Sequence, residues 1–355
     1  MRTWGAVWRR GRQWLPFLIV VALLFFLVKA VQPSRLIEAS RHFKWAYLAP
    51  LAITYLLYLG LRAMRWHLLI RTVDAPNSAL DSLLLFIAAQ AAVLVPAGQF
   101  LLPVLQKSQH GTLIRHSAAT VLVQELLFGI LVLPAALPGV PGYQLGGWLL
   151  LAAFLISTAA GAMMMHNPTA ALGLRLIARI GFLRRHVPGL EDLRQTVVHV
   201  ASTPDAIFGS VLDMAAIAIS GTGLYVVLAG MNAQSPGWIG AVGTYSFGNA
   251  VATLSSLPGG LGANEDVSTA VLSHMGLDPG VGAAGVLIFR ATSLVLGTAL
   301  GWAALLCCRG RFKVQPSVAG LVDAARRSEQ EVSAGTEPRQ PSRDPAVTSL
   351  KESRP

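Results

Sequence analysis

Charged residues stand at three places where the sequence is otherwise apolar. Glu125 lies in VLVQELLFG, Arg290 lies in VLIFRATS, and Glu265 follows the glycine-rich segment LPGGLGAN. A charge at the depth of a bilayer costs about 2.5–3.5 kcal/mol, so such residues usually face a polar cavity or one another. We therefore predict that these three side chains line a polar path for a substrate. The alternative is a purely structural ion pair that fixes the register of two helices.

The segment before Glu265 interrupts an apolar stretch and then starts a new helix. It reads LSSLPGGLGANEDVS from Leu254 to Ser268. Proline ends a helix and glycine lets the chain reverse, so loop-forming roles fall to Pro258, Gly259, Gly260 and Gly262. Glu265 and Asp266 then suit the positive end of the next helix dipole. Such a helix start, with free loop amides, could also bind an anion.

This glycine-rich segment differs from the known nucleotide-binding loops. It is not followed by the Gly-Lys-Ser/Thr of a phosphate-binding loop, and an acid replaces the last glycine of the dinucleotide fingerprint. We therefore expect no nucleotide and no cofactor. Cys307 and Cys308 are adjacent, and neighbouring cysteines rarely form a disulfide. We interpret them as small apolar residues rather than as metal ligands or lipidation sites.

Two long apolar stretches are each broken in the middle. Ala79–Leu105 breaks at VPAGQF, where Pro96 and Gly98 interrupt the helix and Gln99 takes the position of Glu265 in the second stretch, Trp238–Met275. Backbone groups freed inside a bilayer need partners from protein or water. Each stretch is therefore predicted to form a re-entrant hairpin of two half-helices. The alternative is two ordinary short helices joined by a surface loop.

Uninterrupted apolar runs predict spanning helices, which need roughly 20 apolar residues each. Tryptophans near their ends suit the membrane interface. The first run could instead be a cleaved signal peptide, but it lacks a clean cleavage site. The six predicted spans are approximately Trp14–Val31, Trp45–Met64, Ser117–Pro134, Gly147–Met165, Ala206–Gly230 and Val281–Cys308.

The composition supports a polytopic all-α membrane protein. The chain is 54% hydrophobic and 13% charged, with a formal net charge of +11. Its basic residues flank apolar runs, which is the pattern of membrane topology rather than of nucleic-acid binding. With a cytoplasmic N-terminus and two returning hairpins, Arg62, Arg65 and Arg71 fall in one cytoplasmic loop and both termini lie inside. Asp213, near a predicted helix end, is expected to meet only the interface.

The two halves of the sequence resemble each other. IAAQAAVLVPAGQF pairs with FGNAVATLSSLPGGLGANE, and VLVQELLFGILVL pairs with VLIFRATSLVLGT. Inverted repeats with broken helices are typical of secondary transporters. Glu125 and Arg290 take equivalent positions in this repeat. We expect them either to approach each other or to line one polar cavity.

Three segments follow from these boundaries. Residues 1–13 are predicted to form a basic cytoplasmic N-terminus, 14–310 a transmembrane domain, and 311–355 a disordered cytoplasmic tail poor in apolar residues. Within the transmembrane domain, residues 166–205 alternate basic and apolar residues. They are interpreted as an amphipathic helix on the cytoplasmic lipid surface or, equally, as a solvated connector.

Several of these motifs together resemble a known family. LRAMRWHLLI near Leu61, the break at Pro96, LPGGLGANE and the later helix with Arg290 resemble the transmembrane family of lysylphosphatidylglycerol synthase/flippase proteins. The resemblance covers roughly residues 10–310 and implies a lipid translocase of the bacterial cytoplasmic membrane. It does not imply lysyl transfer, which in that family belongs to a separate soluble domain.

The first half departs from the family's pattern. The family tends to have Gly-Glu after the first break, where this chain has Gly98-Gln99, and Glu-Arg followed by an acid, where it has Glu125-Leu126 and Phe128. The resemblance therefore does not carry over the substrate, or a proton coupling that needs those acids.

The leading hypothesis is a non-enzymatic translocase that moves a lipid with a polar or charged headgroup between leaflets. Its only expected partner is membrane lipid, and the protein partners are unknown. The alternatives are a secondary transporter of a small polar solute and a non-transporting regulatory subunit. An enzyme acting on lipid-linked phosphates is disfavoured, because Ser273 and His274 have no second acid beside them.

Overall fold

A computed structural model describes residues 41, 43–73, 75, 77–93, 98–140, 144–178, 187–233, 236–255, 260 and 262–308. The predicted span Trp14–Val31 and the predicted tail 311–355 lie outside these residues. Within them, the secondary structure consists of α-helices and short 3₁₀ turns. The helices are α1 Leu48–Arg71, α2 Ala79–Ala89, α3 Leu101–His110, α4 Ile114–Ala135, α5 Gln144–Met165, α6 Asn167–Ala178, α7 Val187–Ala201, α8 Pro204–Gly230, α9 Gly237–Ser255, α10 Ala263–His274 and α11 Pro279–Cys307.

Helices α1, α4, α8 and α11 are long and apolar enough to cross a membrane. Helix α5 joins them as a fifth candidate when it is taken together with α6, from which it is bent by 97°. Five of the six predicted spans are thus found as helices, with ends that differ by a few residues. The largest difference is at α1, which runs to Arg71 rather than ending at Met64.

The two long helices α1 and α8 pack against each other in antiparallel directions. Gly230, at the end of α8, accepts a backbone hydrogen bond from Lys44, just before α1. Gly209, near the start of α8, lies against the stem of Arg65, near the end of α1. Because the pair is antiparallel, the C-terminal ends of α1 and α8 lie at opposite ends of the bundle.

The antiparallel packing of α1 and α8 determines the end of the bundle at which each of the two broken stretches begins. Helices α2 and α3 follow α1 and return to its C-terminal end. There Asn77 and Gln106 exchange two side-chain hydrogen bonds of 2.8 and 2.7 Å. Helices α9 and α10 follow α8 and return to the opposite end, where Gly240 lies beside Met275. In the described residues, each broken stretch therefore forms two helices that return to the end of the bundle from which they start, and whether they are re-entrant stays a prediction.

Polar caps and glycines set the ends of these helices. The hydroxyl groups of Ser78 and Thr203 accept backbone N–H groups at the starts of α2 and α8, as N-caps do. Asp278 does the same for α11, with Pro279 in the first position. Gly111 ends α3 with a φ of +72°, a left-handed conformation that glycine adopts without strain.

Small residues let the second hairpin and the bundle approach closely. A Cβ on Gly243 of α9 would lie 2.6 Å from the backbone nitrogen of Gly139. Gly221 of α8 meets Val242 in the same way. Such contacts replace the hydrophobic driving force that is absent between helices in lipid.

Helix α7 docks on the bundle, which refines the interpretation of residues 166–205. Val197 and Val200 are buried together with Ala119 and Val123 of α4. At the rim of this contact, Arg115 and Asp192 form an exposed ion pair of 2.8 Å. One face of α7 is therefore packed on α4, and residues 179–186 lie outside the described residues.

Candidate functional site

A cluster of four charged residues lies inside the bundle, where α1, α4 and α8 meet. Arg62 Nη2 donates to Glu125 Oε1 at 2.5 Å, and Arg62 Nη1 donates to Asp213 Oδ1 at 3.2 Å. Arg65 also pairs with Asp213 through its Nη1. Two guanidinium groups and two carboxylates balance in charge, so the cluster can be neutral as a whole without any proton being gained or lost.

Burial differs strongly among the four side chains. Arg65 is 0% exposed and Asp213 is 1% exposed, whereas the side chain of Glu125 is 45% exposed. The guanidinium of Arg62 lies 4.5 Å from the ring centre of Phe128, a cation–π contact that helps to hold it in place. Glu125 is therefore the accessible member of an otherwise buried cluster.

A second ion pair links α10 to α11. Arg290 Nε donates to Glu265 Oε1 at 3.0 Å, and the other carboxylate oxygen, Oε2, accepts the backbone N–H of Gly262 at 2.7 Å. The side chains of Arg290 and Glu265 are 17% and 4% exposed. Gly262 has a φ of +86°, which places its N–H at the start of α10 for this contact.

Tyrosines lie between the cluster and the second ion pair. Tyr245 of α9 is within electrostatic range of both Arg62 and Arg290, and it shares a hydrogen bond with Ser220 of α8. Its ring meets Phe289 edge-on at 6.0 Å. Tyr58 of α1 is within range of Arg62, Glu125 and Tyr245. Both tyrosines therefore lie near the charged cluster, and Tyr245 also lies near Arg290.

A small cavity adjoins these tyrosines. Two apolar residues, Leu51 and Phe289, form part of its wall. The remaining lining residues all carry hydroxyl groups and come from α1, α8 and α11: Thr54, Tyr55, Ser220, Thr292 and Ser293.

Residues 13–301 match the family described as the lysylphosphatidylglycerol synthase TM region. The chain belongs to this family. A search of curated proteins found no match. Family membership supports a membrane protein with a lipid-related function.

In the lysylphosphatidylglycerol synthase TM region of this chain, Glu125 and Arg290 do not pair with each other. Glu125 pairs with Arg62, and Arg290 pairs with Glu265, so the expected direct approach was wrong. The repeat comparison pointed to these two helices, but the partners come from α1 and α10. The alternative expectation, that both line one polar cavity, stays a prediction, because neither residue lines the described cavity.

Glu265 takes the predicted position in the first turn of α10, with Asp266 exposed beside it. The expected anion site at this helix start is not what the geometry favours. Both oxygens of Glu265 are already bound, one to the backbone N–H of Gly262 and one to Arg290. A second anion there would meet a carboxylate, which repels it.

The loop-forming predictions are described only in part. Gly260 has a φ of +67° and packs on Ala252. Gly98 is buried and begins a 3₁₀ turn, and the backbone of Gln99 lies in that turn. The side chain of Gln99 lies outside the described residues, as do Pro96, Pro258 and Gly259.

Sequence reasoning misplaced three members of the cluster. Arg62 and Arg65 were assigned to a cytoplasmic loop, and Asp213 to the interface, but all three are buried within helices. The available signal was the spacing of Arg62 and Arg65, which are three residues apart and so share one helix face. No group of three or more metal-ligating side chains occurs among the described residues.

Proposed function

We propose that this protein is a lipid translocase. It would move a lipid with a polar or charged headgroup between the leaflets of the bacterial cytoplasmic membrane, with both termini in the cytoplasm. In this proposal it acts without enzymatic chemistry, without a cofactor and without nucleotide or nucleic acid. Membership of a family named for a lipid synthase supports lipid as the substrate class.

The exposure of Glu125 carries the proposal. Glu125 lies eleven residues after Ile114, the first residue of the 22-residue helix α4. At 1.5 Å per residue, it is about 16 Å from either end of the helix. Its side chain is nevertheless 45% exposed. An ionisable group at that depth is expensive unless it serves a substrate or ion pathway.

The pairing of Glu125 supports a headgroup path. Its partner Arg62 is buried and is also held by Asp213, so Glu125 is the member free to turn toward a substrate. A carboxylate that is accessible from the side of a helix would receive an amine-bearing headgroup while the tails stay in the bilayer. Arg62 would neutralise Glu125 again after the headgroup has passed.

The same observation favours a lipid over a small polar solute. A solute transporter needs a closed central site near the bilayer midplane. Glu125 is open to the surroundings of the bundle, whereas the described cavity between α1, α8 and α11 has a mainly apolar surface and no charged residue in its lining.

The test is leaflet exchange in liposomes that hold the purified protein. Fluorescent lipids with cationic, zwitterionic, anionic and uncharged headgroups are placed in both leaflets, and a membrane-impermeant quencher reports the rate at which inner lipids reach the outer leaflet. We expect faster exchange than in protein-free liposomes for at least one headgroup class. Glu125→Gln should slow it at least about tenfold, which corresponds to ~1.4 kcal/mol of barrier.

Glu191→Gln is the matched control. Glu191 pairs with Arg194 at 2.8 Å on α7, outside the bundle interior, so its loss should leave exchange unchanged. Wild-type protein that is folded yet exchanges no lipid of the panel would refute the proposal and favour a solute transporter or a non-transporting subunit.

A further inference from the structure

The guanidinium group of Arg62 has a donor edge that Glu125 uses only in part. Its Nη1 donates to Asp213 at 3.2 Å, and its Nη2 donates to Glu125 at 2.5 Å. Its Nε, which lies on the same edge of the planar group as Nη2, has no hydrogen-bond partner among the described residues. Such an edge can bind two oxygens of one carboxylate or phosphate in parallel. Glu125 therefore fills one of the two donor positions that the edge offers.

Arg62 is held at its depth independently of Glu125. Its guanidinium group is bound by Asp213 and lies 4.5 Å from the ring centre of Phe128, and its side chain is 6% exposed. The side chain of Glu125, in contrast, is 45% exposed. When Glu125 turns outward, Arg62 therefore stays in place, and both donors of the edge are left for another anionic group.

The helix surface next to Glu125 has room for such a group. Gly129 lies one turn after Glu125 on α4, so the two residues share one face of the helix. In the part of the chain that the structure describes, a Cβ on Gly129 would meet nothing within 4 Å. A headgroup can therefore approach Glu125 along this face without displacing protein atoms.

Charge balance decides which headgroup suits this site. Arg62 and Arg65 are balanced by Glu125 and Asp213, and all of these side chains except Glu125 are at most 6% exposed. A buried charge that loses its partner is costly. A headgroup with only an amine would neutralise Glu125 and leave two guanidinium groups with one carboxylate. A headgroup with only a phosphate would bind Arg62 and leave Glu125 unpaired beside it.

We propose that this site binds the headgroup of a zwitterionic phospholipid with one phosphate and one primary amine, as in an ethanolamine phospholipid. The phosphate binds the Nε and Nη2 edge of Arg62, and the amine donates to Glu125. One ion pair is thereby replaced by two, and no charge of the cluster is left without a partner. As a substrate class this assignment rests on the proposed lipid translocation, whereas binding of the headgroup can be measured without it.

The test is competitive lipid binding to the purified protein in detergent micelles, followed by native mass spectrometry. Phosphatidylethanolamine, phosphatidylglycerol and a cationic diacyl lipid with an amine but no phosphate are supplied in equal amounts with identical acyl chains. Wild-type protein should bind phosphatidylethanolamine at least about tenfold better than either competitor, because each competitor leaves one charge of the cluster unpaired. Leaflet exchange is measured for the same three lipids.

Glu125→Gln should change the preference, because it removes the acceptor of the amine and leaves the cluster with an excess positive charge. The ratio of bound phosphatidylethanolamine to bound phosphatidylglycerol should fall at least about tenfold, since the phosphate alone then restores the charge balance. Glu191→Gln is the matched control. It removes a carboxylate from the ion pair with Arg194 on α7 and should keep the wild-type preference.

The outcomes separate this assignment from the proposed function. Equal binding of the three lipids, stronger binding of either competitor, or an unchanged preference in Glu125→Gln would overturn the zwitterionic site even if lipid is exchanged between leaflets. A preference for phosphatidylethanolamine that Glu125→Gln abolishes, without exchange of any lipid, would support the site and refute the translocase.

Discussion

Asp213 should be essential for stability because it holds two buried cations at once. Its side chain accepts from Arg62 and pairs with Arg65, and it is 1% exposed. Asp213→Asn keeps the shape and one acceptor oxygen but removes the negative charge. The cluster then holds two guanidinium groups and only Glu125 as counter-charge.

The magnitude follows from burial. Removing one member of a buried ion pair costs about 3–5 kcal/mol, because the remaining charge is left uncompensated. The amide oxygen that Asp213→Asn introduces would still accept a hydrogen bond, so we expect the lower end, about 3 kcal/mol. Arg65 would suffer most, since it is 0% exposed and Glu125 pairs with Arg62 instead.

The assay is reversible unfolding in mixed micelles, followed by helical circular dichroism as the fraction of denaturing detergent rises. Asp192→Asn is the matched control. Asp192 forms an ion pair of 2.8 Å with Arg115, but the two side chains are 40% and 49% exposed. An exposed pair is worth about 0–1 kcal/mol, so the control should change the free energy of unfolding little.

A double variant tests the electrostatic reason directly. Arg65→Met removes the second cation, so Asp213→Asn with Arg65→Met leaves Arg62 facing Glu125 alone. The double variant should be more stable than Asp213→Asn. If Asp213→Asn unfolds with the same free energy as Asp192→Asn, or if the double variant shows only the sum of two independent losses, the charge-balance argument is wrong.

Two further predictions concern packing and the first hairpin. Gly243→Ala would place a Cβ 2.6 Å from the backbone nitrogen of Gly139 and should cost about 1–3 kcal/mol of stability in the same unfolding assay. Gly129→Ala is the control, because a Cβ there would have nothing within 4 Å and should not destabilise the protein. Equal stability of the two variants would refute the close contact. Gln106→Ala leaves the buried amide of Asn77 without its reciprocal partner and should cost about 1–3 kcal/mol. Its measurement is amide hydrogen exchange, which should quicken in α2 and α3, and unchanged exchange there would contradict the role of this pair.

Much of the helical architecture was predictable, because long apolar runs and helix-breaking residues are local signals. The breaks near Gly98 and Gly260 correctly separated two pairs of helices. The first-turn position of Glu265 was also confirmed, since a carboxylate at a helix start has a local physical reason.

The partners of the charged residues could not be predicted in this way. Ion pairs join residues that are far apart in sequence, such as Arg62 and Asp213, which are separated by 151 positions. The arginines near Met64 resembled a cytoplasmic helix end because basic residues usually mark one. Asp213 was misplaced because it was treated as lying near a helix end, although α8 begins at Pro204, about 13 Å away along the helix.

The repeat comparison illustrates the same limit. It identified Glu125 and Arg290 as equivalent and expected them to pair. Equivalent positions in a repeat share surroundings but need not touch, and each of the two found its partner on another helix.

The most direct test of the central claim is leaflet exchange by the wild-type protein beside Glu265→Ala and Arg290→Ala, with folding verified for each. The account predicts that wild-type protein exchanges at least one headgroup class and that both substitutions slow it, because each breaks the 3.0 Å pair between α10 and α11. Folded variants that exchange lipid as fast as the wild type would show that this pair is only structural and would contradict the account.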